Sequence, residues 1–155
     1  MQSNVIQVIY ADMKGYTDLE QSKKLAEILP LESADMVYFG IHQGMDGKYH
    51  LSGTNTEDDV VPIYKNLCTK VFVKATESDI TCQLPCWTLA SLLDVLPLFI
   101  EFKGDKYYLR FMKEYVEYAN DEISITGRYL HTTGNDNLVD ACYEIIIKLH
   151  ELNLL

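Results

Sequence analysis

Apolar residues recur along this chain with two different periods, and the change of period divides it into helices and strands. Thr17 followed by Glu20 fits a capping box, in which side chain and backbone satisfy each other's unpaired groups at a helix start. Leu19, Leu25, Ile28 and Leu29 then form an apolar stripe with Lys23, Lys24 and Glu27 outside it, until Pro30 stops the helix. Ser33 to Met36 allows one further turn. Val37 to Ile41 and Tyr49 to Ser52 read as short strands around Gly44-Met45-Asp46-Gly47, where Asp-Gly is a strong turn signal. Residues 53–59, GTNTEDD, form a polar loop. From Val60 to Val73 the pattern is mixed: Val71-Phe72-Val73 favours a strand, and Pro62 to Cys68 suits either state.

The second half has a sharper rhythm. Thr88 caps a helix carrying Leu89, Leu92, Leu93 and Leu96, which Pro97 ends. Leu98, Ile100 and Phe102 then alternate with Phe99, Glu101 and Lys103, the period of a strand. Gly104-Asp105 turns the chain into Lys106–Met112, where Tyr107, Leu109 and Phe111 share one face and Tyr108 and Arg110 the other. Tyr115 to Tyr118, a turn at Asn120-Asp121, and Ile123 to His131 complete a four-strand meander. Asp136 is a good cap for a last helix, in which Leu138, Ala141, Cys142, Ile145, Leu149 and Leu152 recur at helical spacing. The predicted fold is α+β: an antiparallel β-meander covered on one face by helices, the amphipathic C-terminal helix among them. Its other face, bearing Glu101, Lys103, Arg110, Glu117 and Arg128, is expected to be solvated and mixed in sign. LAEILPL at 25–31 and LLDVLPL at 92–98 echo each other; two proline-ended helices explain this more simply than a duplication.

Length turns these elements into one domain over residues 1–155, since 155 residues build a single ordinary core. Residues 1–16 read as an extension ahead of the first helix. Met13 offers a second plausible start, and the alternative for 1–12 is a short strand on Val5, Ile6, Val8 and Ile9. No secretory signal pattern opens the chain and no apolar run spans a bilayer, so a cytoplasmic location with reduced Cys68, Cys82, Cys86 and Cys142 is expected. The net charge of −10 repels phosphate backbones and anionic lipid, which argues against nucleic-acid and membrane partners. It divides evenly: residues 1–80 hold 7 Lys/Arg and 12 Asp/Glu, residues 81–155 hold 6 and 11, giving −5 each. Only Glu57-Asp58-Asp59 is a compact run.

Against this background few residues suggest chemistry. Cys86, just ahead of Thr88, lies near a helix start, where the helix dipole favours a thiolate. Cys86-Trp87-Thr88-Leu89-Ala90-Ser91 superficially resembles the nucleophile segment of papain-like proteases, with His131 as base and Asn135 or Asp136 to orient it. No glycine precedes Cys86, and Gln83 is too close to match the usual oxyanion glutamine. A small apolar cysteine beside Trp87 explains the same residues. Cys82 and Cys86, spaced C-x3-C, offer two zinc ligands, and neither His42/His50 nor Cys68 completes a set, so no metal or cofactor is expected. Gly40, Gly44 and Gly47 read as turn glycines, because a phosphate loop needs a helix to follow. Five tyrosines and three phenylalanines crowd residues 98–131; strand propensity explains them, and a surface for a protein partner is the functional alternative.

Three segments together resemble a known group: Glu20–Leu25 with Ala34-Asp35-Met36, Pro85–Leu89 through Leu96-Pro97, and Asp136–Ile145 through Leu149–Leu152. The group comprises small uncharacterised proteins of gut-anaerobe genomes, often associated with prophages or conjugative elements. The resemblance runs from residue 17 onward and is strongest in the final helix. It implies a small cytoplasmic accessory protein and supplies no catalytic residues. The leading expectation is therefore a non-enzymatic protein-interaction module of a mobile element. The alternatives are a cysteine-dependent hydrolase using Cys86, His131 and Asn135, and an acidic DNA mimic.

Overall fold

The structure, a computed structural model, describes residues 14–43, 49–51, 62–64, 82–112, 115–120, 128–132 and 137–155. Its elements run α1 (Leu19–Ala26), a 3-10 turn (Leu31–Ser33), β1 (Met36–Gln43), β2 (Tyr49–Leu51), β3 (Ile63–Tyr64), β4 (Cys82–Cys86), α2 (Leu89–Val95), β5 (Phe99–Phe102), β6 (Asp105–Met112), β7 (Tyr115–Ala119), β8 (Arg128–His131) and α3 (Leu138–Glu151). The fold is α+β, as the periodicity predicts, with the described strands in two antiparallel four-stranded sheets.

In one sheet β1 is central. β4 lies along one edge, and β2 and β3 meet opposite ends of the other. The predicted hairpin is present, with Ile41 opposite Leu51 and Gln43 opposite Tyr49; the intervening residues 44–48, with Gly44 and Gly47, lie outside the described residues. β4 falls outside the strands expected from the sequence, and its Pro85 cannot donate to a ladder. Proline is tolerated there because, among the described residues, β4 pairs only with β1 and so lies at an edge.

The other sheet is the meander, in the order β5-β6-β7-β8. Its first turn falls one residue earlier than expected. Phe102 pairs with Asp105, and Lys103 and Gly104 take positive φ values of 52° and 90°. Two positive-φ residues make the tight hairpin turn whose twist matches the strands, and Gly104 supplies one of them without strain. Beyond β8, Thr132 continues the pairing: its amide donates to the Val116 carbonyl, and its buried hydroxyl accepts from the Val116 amide.

Helix α3 lies against β7 and β8 and also meets α2 and α1. The larger of two core clusters among the described residues results, with Leu25, Trp87, Leu92, Ile100, Val116, Tyr118, Val139, Ile145, Ile146 and Leu149 buried together; the smaller holds Met36, Tyr38 and Cys86. Because α3 packs on both sheet and helices, its buried surface is wider than the expected stripe: Val139 and Ile146 join it, and Leu152 is exposed. The α3 cap is Asn137, whose side chain accepts from the Asp140 amide; the expected cap Asp136 lies outside the described residues. At the other end Asn153 adopts φ 55°. The Asn153 amide donates to His150 and the Leu154 amide to Leu149, a Schellman closure that lays Leu154 on the core.

Helix α1 also starts one residue later than expected. Asp18 is the cap and Gln21 its capping-box partner. Thr17 is instead fully buried. Residues 14–16, set apart as part of an extension by the sequence reading, belong to the fold: Tyr16 bridges to Thr88, and the Gly15 carbonyl accepts from the Leu89 amide. Residues 1–13 lie outside the described residues.

Candidate functional site

Among the described residues, three polar clusters and one apolar surface gather the side chains of interest for chemistry or partner binding. The first cluster surrounds Cys86. Thr17 Oγ1 lies 2.7 Å from Ser22 Oγ and accepts from the Trp87 amide at 3.1 Å. Tyr38 donates its hydroxyl to the Thr17 carbonyl at 2.8 Å, and the Cys86 thiol is 3.4 Å from the same oxygen. Cys86, Thr17 and Ser22 are fully buried. Burial pushes the Cys86 thiol above its ordinary range, although hydrogen bonding to Thr17, Ser22 and Tyr38 works the other way. The helix-start position thus does not yield the low-pKa thiol that a nucleophile needs. Burial likewise raises the Tyr38 phenol.

His131 ends β8, paired in register with Glu117 in the second sheet, whereas Cys86 ends β4 in the first. The His131 side chain and Asn135 lie outside the described residues. Cys82 and Cys86 sit four positions apart on one extended strand. Their α-carbons are therefore ~13 Å apart, too far to share one ion. His42 and His50 pair with each other in register, one position away from the pairing of Ile41 with Cys82. Among the described residues no three His, Cys, Asp or Glu side chains group as a metal site. Cys68 and the Glu57-Asp58-Asp59 run lie outside the described residues. Cys142 is buried on α3, and burial pushes its thiol up to about 12.

The second cluster centres on Asp35. Its carboxylate accepts from the Thr88 amide at 2.9 Å, from the Thr88 hydroxyl, and from Ser91 Oγ at 2.8 Å. Burial alone would raise this carboxyl; the bonds from Thr88 and Ser91 outweigh it and hold Asp35 below the usual carboxylate range. Beside it Trp87 Nε1 donates to Ser33 Oγ at 2.9 Å, and Ser33 donates to the Pro30 carbonyl at 2.6 Å. These bonds fasten the segment before β1 to the start of α2.

The third cluster joins the starts of α1 and α3. Lys14 Nζ donates to Asp140 at 2.6 Å, Gln21 at 2.7 Å and Asp18 at 2.9 Å. Gln21 Nε2 and Asn137 Nδ2 each donate to Asp140 at 2.7 Å. Burial opposes both charges. The bonds to Asp140 and Asp18 nevertheless carry Lys14 above its ordinary value, and those from Lys14 and Gln21 hold Asp140 below its own. In the buried first cluster the hydroxyls are hydrogen-bonded, as buried polar groups must be to avoid a desolvation penalty. In the part-buried second and third clusters the charges are hydrogen-bonded as well.

The apolar surface lies on the outer face of β5–β6. On that face Phe99 is 44% and Tyr108 53% exposed; Leu98, just before β5, is 80% exposed. Phe99 and Tyr108 are paired across the strands, their ring centroids 6.2 Å apart. Lys106 Nζ sits 4.0 Å from the Phe99 ring centroid and 3.8 Å from the Glu101 carboxylate. Further along the same face the expectation of a solvated surface fails at Glu117. This residue is only 5% exposed and is paired in register with Arg110. Among the described residues, the exposed aromatic pair of this face thus lies at the β5–β6 end.

Comparison with known proteins gives no matching family model, no similar curated protein and no similar solved structure. Among the described residues no helix is long and apolar enough to cross a membrane.

Proposed function

We propose that the protein is a non-enzymatic interaction protein that binds another protein through the outer face of β5–β6. Accessory service to a mobile element, in the cytoplasm, is the setting that the resemblance implies. The observation that carries the reading is the exposed Phe99–Tyr108 pair on that face. Tyrosine and phenylalanine are among the residue types enriched at the centres of protein interfaces, and here strand pairing sets them side by side. The burial of Cys86 and its raised thiol support the same reading, because the competing hydrolase needs that sulfur accessible and ionised.

Site-specific photo-crosslinking in the native cell tests it. A photoreactive phenylalanine analogue at Tyr108 is expected to give a discrete protein adduct, and the same analogue at Lys24, exposed on α1, is expected to give none. Absence of an adduct at 108, or equal adducts at both positions, would overturn the proposal.

A further inference from the structure

Resting on that reading, we infer that the β5 edge pairs with the β5 edge of a second copy of this chain, in one two-fold register centred on Ile100. The backbone of β5 supplies the reason. Phe102 and Asp105 flank a two-residue turn, and the Leu109 amide donates to the Leu98 carbonyl at 3.0 Å. Hydrogen-bonded and non-bonded pairs alternate in an antiparallel ladder, so Leu98, Ile100 and Phe102 direct their backbone groups toward β6. Phe99 and Glu101 then direct theirs away from it. Among the described residues no strand lies on that side of β5.

The open edge is short at both ends. Pro97 has no amide to offer, and Lys103 leaves the strand at φ 52°. Two donors and two acceptors remain, on Phe99 and Glu101. They are matched by the same four groups of an identical edge when Phe99 of each copy stands opposite Glu101 of the other. The side chains suit that register. Glu101 of one copy comes beside Phe99 of the other, on whose ring Lys106 already rests, so each Glu101 meets a cation as well as an aromatic face. Lys103 and Lys106 balance Glu101 and Asp105, so the edge is locally neutral although each chain carries −10. The joined sheets would place two Phe99–Tyr108 pairs on one continuous face.

Sedimentation equilibrium of the full chain tests this, with three variants chosen to leave the meander intact. Phe99→Pro removes an outward amide, which an edge strand tolerates, together with the Phe99 ring on which Lys106 rests. Glu101→Lys with Lys106→Glu restores the charge pairing that Glu101→Lys alone reverses. A concentration-dependent dimer is expected for the wild type. Its dissociation constant should rise at least tenfold in Phe99→Pro and Glu101→Lys and recover in the double variant, with circular dichroism unchanged throughout. A wild-type monomer at every concentration up to hundreds of micromolar, or a dimer indifferent to Phe99→Pro, would overturn the inference. A monomer that still forms a Tyr108 adduct with a different protein would overturn the self-pairing alone and leave the interaction reading in place.

Discussion

At the scale of single residues, Thr17 and Asp35 hold together parts of the chain that are distant in sequence. As a helix cap Thr17 would sit at the surface, but in the core its hydroxyl satisfies the Trp87 amide and meets Ser22. Replacing Thr17 by valine keeps the volume and strands a buried amide, so a loss of about 1–3 kcal/mol is expected in chemical denaturation. Asp35 is the stronger case, because its carboxylate accepts three bonds from Thr88 and Ser91. Asp35→Ala is expected to lose more than 2 kcal/mol, each hydrogen bond to a charged group contributing about 1.5–3 kcal/mol. Both can be read from urea midpoints at constant m-value. Neither role was legible in the sequence. Thr17 and Trp87 are 70 positions apart, and Asp35 and Thr88 are 53, so no local pattern links them.

At the scale of elements, the meander and its covering helices were legible because alternation and helical spacing record burial directly. The Phe99–Met112 hairpin, the Thr88 cap and the α3 core positions all follow from period. What was not legible depends on neighbours. β4 hides behind Pro85, which only an edge position permits, and Glu117 reads as a solvated strand residue although the folded chain buries it. Asn153, a residue type that tolerates positive φ, was an available signal for the end of α3 and went unread. The candidate surface was half legible. The aromatic enrichment of residues 98–131 stood out, but which rings face water depends on the sheet's packing. Two expectations belong here. Ile145→Ala, deep between α3 and the sheet, should destabilise by about 2–5 kcal/mol. Tyr108→Ala, on the outer face, should stay within about 0.5–1 kcal/mol of wild type in the same denaturation series.

At the scale of the whole molecule, charge governs pH dependence and the surface governs association. Asp35 and Asp140 titrate below their ordinary values in the folded chain. Their contribution is present above the unfolded carboxylate pKa, near 3.9, and is lost as pH falls through the lower folded values. Lys14 has the opposite sense. Its folded pKa is raised, so its contribution is complete below about 10.5 and disappears as pH rises through the folded value. A denaturation series across pH should therefore show an acid limb that flattens in Asp140→Asn and an alkaline limb that flattens in Lys14→Met. Stability should be highest between the limbs, where all three groups are charged.

That the molecule works through β5–β6 rather than through a thiol is tested most directly by one comparative capture from native cells. The tagged wild type, Cys86→Ser and a Phe99→Glu/Tyr108→Glu double variant are taken through it together. Cys86→Ser should retain the wild-type partner and the double variant should lose it, with both variants folded by circular dichroism. Retention of the partner by the double variant, or its loss from a folded Cys86→Ser protein, would contradict the proposal.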